Sequence, residues 1–426
     1  MRHTASAALT SRLRPAHGVA LLFLANGLVG PSLWPRLPEI RDAVGATDAT
    51  LGLALVGVGV GGVLGSVLAP RLSRLLGVER TAVLSGVVLA ASAIGVGLAP
   101  SVAVLFLVFA AMGMTDGIAD IAQNALMFDV QRTGDRSLAS RMHAVWSAGA
   151  LAGTGLGTLA ATARVTVVAQ TAILAVFALA VIAVARTPVR RLRPATGPSH
   201  EATPAESVPI AVGALPGTDE PSASGPAGVA HPRRSRRRGV WLLVIVAGVV
   251  VAAVESIANE WSALTLQDGL GASVTLAGLG PTSYAGAMLV GRLIGDRGID
   301  RFGARRMAQV GAAAVVLGGG LGLGLASLLE VPAVLVVGLV VAGVGTATLF
   351  PLMLQAGDAL DPTGRGVAAA SLGARAGFLA VPLSVGFLSD AAGPVVAFAL
   401  LPLVGLVAAV ALPAALARGQ ATAEGA

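Results

Sequence analysis

Apolar runs long enough to cross a bilayer recur from end to end of this 426-residue chain, broken only by short polar segments. A membrane-spanning helix needs about 20 mostly apolar residues. Repeated runs of that length point to an all-α, polytopic membrane protein. Composition agrees, since charged residues make up 12% of the chain, against about 25% in soluble domains. The 56 glycines suit close helix contact inside a membrane. The chain has no cysteine, which excludes disulfides, iron–sulfur clusters and cysteine zinc sites. Its formal charge of +7 sits in loops, so it reads as membrane topology and not as a nucleic-acid surface.

Twelve spans are predicted: 17–35, 50–70, 81–99, 102–127, 138–161, 165–185, 240–263, 273–293, 306–328, 331–355, 366–388 and 393–416. With the N-terminus inside, the inner segments hold 25 arginines and the outer loops three, namely Arg36, Arg41 and Arg164. That excess predicts cytoplasmic termini and an even number of spans in the cell membrane. The one remaining arginine, Arg375, falls within the eleventh span. Residues 1–16 read as a cytoplasmic tail, because no small-residue cleavage site follows them. Residues 186–239, rich in Pro, Ser, Ala, Thr and Gly, read as a disordered cytoplasmic linker between six-helix bundles at 17–185 and 240–416. Residues 417–426 form the C-terminal tail. The linker ends "RTPVRRLR" and "RRSRRRG" are expected to lie against anionic headgroups.

The halves repeat. Shifting "GSVLAPRLSRLLGVER" (65–80) by 226 residues brings Gly65, Arg71, Gly77 and Arg80 onto Gly291, Arg297, Gly303 and Arg306. "SLASR", ending at Arg141, likewise aligns with "SLGAR", ending at Arg375. Two related six-helix units joined by a long loop describe a rocker-type secondary transporter, with its site between the halves near mid-membrane.

Inside the fourth span, "GMTDGIADIAQN" (113–124) interrupts nearly pure hydrocarbon. Asp116 and Asp120 are four apart, on one helical face that Gln123 and Asn124 continue. A lipid-facing carboxylate near mid-span costs at least about 2.5 kcal/mol, so this face is expected to point into a wet cavity. Two carboxylates in low dielectric suit a proton carrier; for Asp120, a cap or latch at the inner boundary is an equal reading. Glu255, followed by Asn259, Glu260 and Trp261, is a second proton-site candidate in the seventh span, while Trp261 reads as an interfacial anchor. Arg375 either holds an anionic substrate or forms a structural ion pair. His143 and Trp146 share a face of the fifth span, where the imidazole is either a proton relay or a core histidine. Tyr284 reads as a cavity hydroxyl or as packing, and Asn26 as a cavity candidate in the first span. Gly149, Gly153 and Gly157 recur every four residues, a close-packing face.

"GDRGIDRFGARR" (295–306) resembles the sequence that the major facilitator superfamily places between its second and third helices and repeats between the eighth and ninth. In that family it implies an ion-pair latch, here Asp296, Arg297, Asp300, Arg301, Arg305 and Arg306. The first-half copy keeps Arg71 and Arg80 but has Pro70 where the second half has Asp296. "RLPEIRD" (36–42), "MHAVWSAGALAGTGLG" (142–157), "ESIANEW" (255–261) and "GFLAVPLSVGFL" (377–388) resemble the YbjJ-like branch. The resemblance implies solute transport by alternating access, with the first, fourth, seventh and tenth helices lining the cavity. It gives Arg375 no family role, while His143 matches the family's pattern. The fifth-helix glycines lack the proline of the drug antiporter motif, because Thr154 follows Gly153.

Two transport readings follow: proton-coupled movement of a polar solute such as a sugar or organic acid, or export of a metabolite or drug. A non-transporting solute sensor is the third reading. No H-E-x-x-H pattern or nucleotide-binding Gly-rich loop with lysine is present, so an enzyme is not expected. No cofactor or metal is expected beyond a coupling proton or sodium ion. The expected partners are the solute and the lipid bilayer, with the protein a monomer.

Overall fold

The apolar runs fold as helices whose ends are set by side-chain caps and by glycine. The computed structural model describes residues 14–132, 139–190, 232–361 and 364–423. Its long helices are α1 (Pro15–Val29), α2 (Asp48–Leu76), α3 (Val78–Leu98), α4 (Val102–Arg132), α5 (Ala139–Thr162) and α6 (Val167–Val189). The second half of the chain contributes α7 (Pro232–Ser256), α8 (Val274–Phe302), α9 (Ala304–Leu329), α10 (Ala333–Thr346), α11 (Arg365–Ala392) and α12 (Leu400–Ala423). Short helical turns extend α1 to Ala43, α7 to Gly269 and α10 to Leu360. Thr47, Thr166 and Ser273 cap α2, α6 and α8 by accepting from the backbone N–H of Thr50, Ala169 and Leu276, satisfying donors that a helix start leaves free.

Because the helices alternate in direction, α1 enters and α12 leaves on one side, here the terminal side; the opposite side is the far side. The packing pairs repeat between the halves. α1 meets α5 and α6, α2 meets α4, and α3 meets α4 and α6; in the same pattern α7 meets α11 and α12, α8 meets α10, and α9 meets α10 and α12. The halves meet where α5 packs on α8 and α2 on α11. The backbone carries the same repeat. Gly77 and Gly303, related by the 226-residue shift, adopt φ 85°, ψ 147° and φ 84°, ψ 151°, a region open to glycine, and each ends one helix and starts the next.

Eleven helices among the described residues are long and apolar enough to cross a membrane, one fewer than the twelve spans predicted. The difference is α8. It runs 29 residues to Phe302, past the predicted end at 293, with Pro281, Thr282, Ser283 and Tyr284 in its first half and Arg292, Asp296, Arg297, Asp300 and Arg301 in its second. The predicted inner loop at 292–306 is therefore mostly helix. The linker boundaries shift similarly: α6 runs through Arg186 and Pro188 to Val189, and α7 begins at Pro232. Residues 191–231 of the predicted linker, and 1–13 of the N-terminal tail, lie outside the described residues. In the predicted C-terminal tail, α12 continues to Ala423.

The fifth-helix glycines pack as their spacing predicts. A Cβ at Gly149, Gly153 or Gly157 would sit 2.5, 2.3 or 2.2 Å from the carbonyl oxygens of Leu24, Leu28 and Ser32, so α5 rests backbone to backbone on α1. Overpacking such a contact costs about 1–3 kcal/mol. Gly153→Ala is expected to lower the unfolding temperature in detergent by several degrees. Gly155→Ala, on the same helix but with no neighbour nearer than 4.0 Å, is expected to leave it unchanged.

Candidate functional site

Polar side chains that one helix cannot satisfy are met by others across the molecule. Asp116, halfway along α4, is exposed, and so is Asp120 one turn later. The exposure is to the interior of the protein, because Asn26 of α1 donates from Nδ2 to Asp116 Oδ1 at 3.0 Å. Asn26 Oδ1 in turn accepts from Trp146 Nε1 of α5 at 2.9 Å. The Trp146 ring lies under the Arg292 guanidinium of α8, 5.7 Å from the ring centroid, within cation–π range. Arg292 Nη1 donates to Ser147 Oγ at 2.5 Å. One continuous path thus runs from α4 through α1 and α5 into the second half of the chain.

Glu255 and Asn259 of α7 and its extension face the same space. With Trp34, Trp146, Ser147, Thr154, Met288 and Arg292 they line a narrow cleft of about 30 Å³ between the halves. The α7 helix loosens here into π turns at Ile257–Trp261 and Thr265–Gly269, a form that concentrates at functional positions. Arg292 is in electrostatic reach of Glu255, and Arg375 of both Asp116 and Asp120. Arg375 also crosses between the halves, donating from Nη2 to Ser66 Oγ of α2 at 2.7 Å. The 226-residue shift that relates the halves places Ser66 on Arg292. Each interface between the halves is therefore bridged by a second-half arginine and a first-half serine.

Of the other predicted residues, Asn124 turns back on its own helix, donating to Asp120 O and Oδ1 at 2.8 Å. His143 is exposed, edge-on to Phe23 at 5.8 Å, and in electrostatic reach of Asp120 and Arg292. Tyr284 is fully buried against the α10 backbone at Gly343, outside the cleft lining but in electrostatic reach of Glu255 and Arg292. The predicted latch residues Arg71, Arg80, Asp296, Arg297, Asp300, Arg301, Arg305 and Arg306 all lie exposed on the terminal side.

Two expectations need correction. Trp261 is no interfacial anchor: it is 2% exposed, enclosed because the α7 extension packs among helices of both halves. Arg375 is not the one arginine within a helix, for Arg292 lies well inside α8. The sequence signal was available in the unbroken helical run to Gly303, but the charge run 292–306 hid it. Ser66, Ser147 and Trp34 carried no such signal, since each is an ordinary residue in an apolar run.

The far side is closed by contacts between the halves. Arg41 Nη1 bridges Asp48 of α2 at 2.8 Å and Asp268 beyond α7 at 2.6 Å. Asp390 of α11 accepts from the first two N–H groups of α2, Asp48 and Ala49, at 2.9 and 3.2 Å. A carboxylate at a helix start satisfies free donors and the helix dipole together. Ser389 Oγ donates to Asp48 Oδ2 at 2.5 Å. On the other interface, Thr158 Oγ1 donates to Gly278 O at 2.8 Å, and the Thr162 and Thr275 hydroxyls lie 3.0 Å apart. Arg36, counted as an outer-loop charge, is 1% exposed, donating to Gln170 Oε1 at 2.5 Å and to Val165 O at 2.7 Å.

A helical membrane protein with repeated halves, sealed on one side and holding between them a cleft with a glutamate and an arginine in its lining, has the build of a solute carrier. Comparison with known proteins gives the family. The Major Facilitator Superfamily model matches residues 18–261 and 244–425, and the chain belongs to that superfamily of multi-pass membrane transporters. It is 27% identical over 412 residues to an uncharacterised transporter of Sinorhizobium fredii, covering 94% of this chain and 98% of the relative. It is 27% identical over 390 residues to an uncharacterised MFS-type transporter of Yersinia pestis, covering 89% and 90%. Among solved structures it shares its fold with a point mutant of the nucleoside transporter NupG, with a TM-score of 0.70, 11% identity and coverage of 95% and 100%. A D-xylose-proton symporter matches with a TM-score of 0.64, 14% identity and coverage of 93% and 96%.

The far-side contacts generate a test in a chain that has no cysteine of its own. With Thr162→Cys and Thr275→Cys introduced together, mild oxidation is expected to form a disulfide rapidly. Adding Arg41→Ala or Asp390→Ala is expected to slow it several-fold, as read by gel mobility, because the far side then opens more often.

Proposed function

We propose that the protein is a proton-coupled secondary transporter that carries a small polar solute, of the sugar or organic acid class, by alternating access between two six-helix bundles. The observation that carries this reading is the hydrogen-bonded path from the exposed Asp116 to the Arg292–Glu255 cleft. Asp116 and Asp120 supply the proton-carrying face. Arg292, Asn259, Ser147 and Thr154 offer donors and acceptors to a polar solute, and Trp34 and Trp146 offer it flat apolar surface. The charged pair Glu255 and Arg292 in the lining favours polar cargo over amphipathic cargo. The function of one neighbour of the same fold, proton-coupled xylose transport, supports proton coupling by analogy of fold alone.

In this reading α8 is the twelfth span, both termini are cytoplasmic, and the far side is the outer face. The structure is then closed outside, with Asp116, Asp120 and His143 open to the cytoplasm. The exposed arginines of the terminal side, Arg186 and Arg190 among them, lie at the headgroups, and the protein is a monomeric carrier and not an enzyme. Within the superfamily we place it in the YbjJ-like branch on "RLPEIRD" and "ESIANEW", whose Arg36–Glu39 pair and cleft-facing Glu255 both have structural work here.

A thermal-shift screen of purified protein against sugars, organic acids, amino acids and amphipathic drugs tests the cargo class. A ligand at a hundred times its dissociation constant adds about 2.7 kcal/mol of stability. A sugar or organic acid is expected to stabilise the parent protein and not Arg292→Ala. In proteoliposomes, Asp116→Asn is expected to lose at least tenfold of pH-gradient-driven flux while still exchanging solute across the membrane. Stabilisation by amphipathic drugs alone, or gradient-driven flux that survives Asp116→Asn, would refute the reading.

A further inference from the structure

Asn26 has a fixed orientation that matters for coupling. Indole Nε1 can only donate a hydrogen bond, so the Asn26 atom that meets Trp146 must be Oδ1. The opposite end of the amide, Nδ2, then necessarily faces Asp116 and donates to it. Every donor along the path Trp146 to Asn26 to Asp116 therefore points toward one carboxylate. The three residues come from α5, α1 and α4, all in the first half, whereas Arg292, seated on the Trp146 ring, belongs to the second.

We propose that Asn26 is a positioning residue through which the charge on Asp116 controls how firmly Trp146 holds Arg292, and so couples proton binding to the contact between the halves. This rests on the reading of Asp116 as the proton site. With Asp116 ionised, the Asn26 bond is charge-assisted, and such bonds are roughly twice as strong as neutral ones. The polarised amide in turn strengthens its acceptance from Trp146, since linked hydrogen bonds reinforce one another. Protonation of Asp116 removes that assistance at both links. Trp146 is then free to leave the amide, and the guanidinium loses the ring that seats it between Ser147 and the cleft.

Backbone contact leaves little slack in this device. Gly27, the residue after Asn26, has Trp146 O only 2.2 Å from where a Cβ would stand, so α1 and α5 cannot absorb the change by drifting closer. The other charged groups around the path are Asp120 on α4, His143 on α5, Arg375 on α11 and, at the Arg292 end, Glu255 on α7. His143 lies nearest the reporter, one turn from Trp146 on the same helix, while Asp120 and Glu255 act on the two ends of the path, so the Asp116-dependence of the titration is what separates the relay from all three.

The test needs no knowledge of the solute. The chain has four tryptophans, Trp34, Trp146, Trp241 and Trp261. Replacing Trp34, Trp241 and Trp261 by Phe leaves Trp146 as the reporter, and His143→Gln in the same background removes the imidazole. The emission of Trp146 is then followed against pH in purified, monodisperse protein. A titration is expected that vanishes in Asp116→Asn and also in Asn26→Leu, which keeps the side-chain size but has no polar atoms. Asn26→Gln, which restores an amide, is expected to recover part of it. The same three Asn26 proteins are compared by size-exclusion profile and circular dichroism, so that loss of fold is separated from loss of coupling.

A titration that depends on Asp116 but survives Asn26→Leu overturns the relay and leaves Asp116 standing as the proton site. The absence of any Asp116-dependent titration of Trp146 also overturns the relay, and the gradient-driven flux of Asp116→Asn then decides the transport reading by itself. Should Asn26→Leu fail to fold, the decision passes to Asn26→Ser, which is too short to span both partners. A full parental titration in that variant overturns the proposal, and its loss supports it.

Discussion

A polar side chain placed in an apolar helix has no water to turn to, so it must find its partner on another helix. That constraint organises this molecule. Asp116, Asn26, Trp146, Arg292, Ser147, Arg375 and Ser66 come from six different helices, and each owes its position to the need of another. Polar groups in membrane spans are costly unless they face the protein interior or a wet cavity. The outcome is a polar axis inside a hydrocarbon shell, with the helices held around it.

The axis is sturdy on one side and yielding on the other. At the far side, Asp390 caps the start of α2 from the opposite half, and Arg41 ties α2 to the end of α7. Backbone donors at a helix start cannot be satisfied within the helix, so a carboxylate lent by the other half gives the two halves a shared stake in closure. Deeper in, each interface depends on one arginine-to-serine bond. Such bonds are few and exchangeable with water, as the proposed transport cycle requires of a contact between the halves. The α1–α5 seam, by contrast, is close-packed, with backbones touching through Gly27, Gly149, Gly153 and Gly157. Each half is welded internally, and the halves are pinned to each other.

The internal repeat has a mechanical meaning as well. Since α2 and α8 are equivalent, and α5 and α11 likewise, the α2–α11 and α5–α8 contacts exchange with one another under the repeat. Ser66 and Arg292 occupy matching positions in the two halves. One half therefore supplies the acceptors and the other the guanidinium groups, an asymmetry imposed by side chains on a nearly symmetric backbone. The Asp116–Asp120 pair of α4 has no counterpart in α10, where the described helix carries no carboxylate.

Much of this was legible in the sequence. Span length and the 226-residue repeat were enough for the all-helical class and for the repeated packing of the halves, because they reflect bilayer thickness and chain repetition. Both act on a linear pattern. Asp116, Asp120, Glu255 and Asn26 stood out for the same reason, being polar in runs where polarity is expensive. Arg292 did not, because its neighbours to 306 made a charged loop the simpler reading, and only the unbroken α8 helix moved it into the cleft. Ser66, Ser147 and Trp34 became functional candidates solely by what they touch. Tyr284, polar and mid-span like the others, is fully enclosed by the fold. Sequence alone determines which residues must be hidden from lipid; which of them meet is decided by how the helices pack, since partners lie on different helices up to 342 residues apart and no local pattern records that distance.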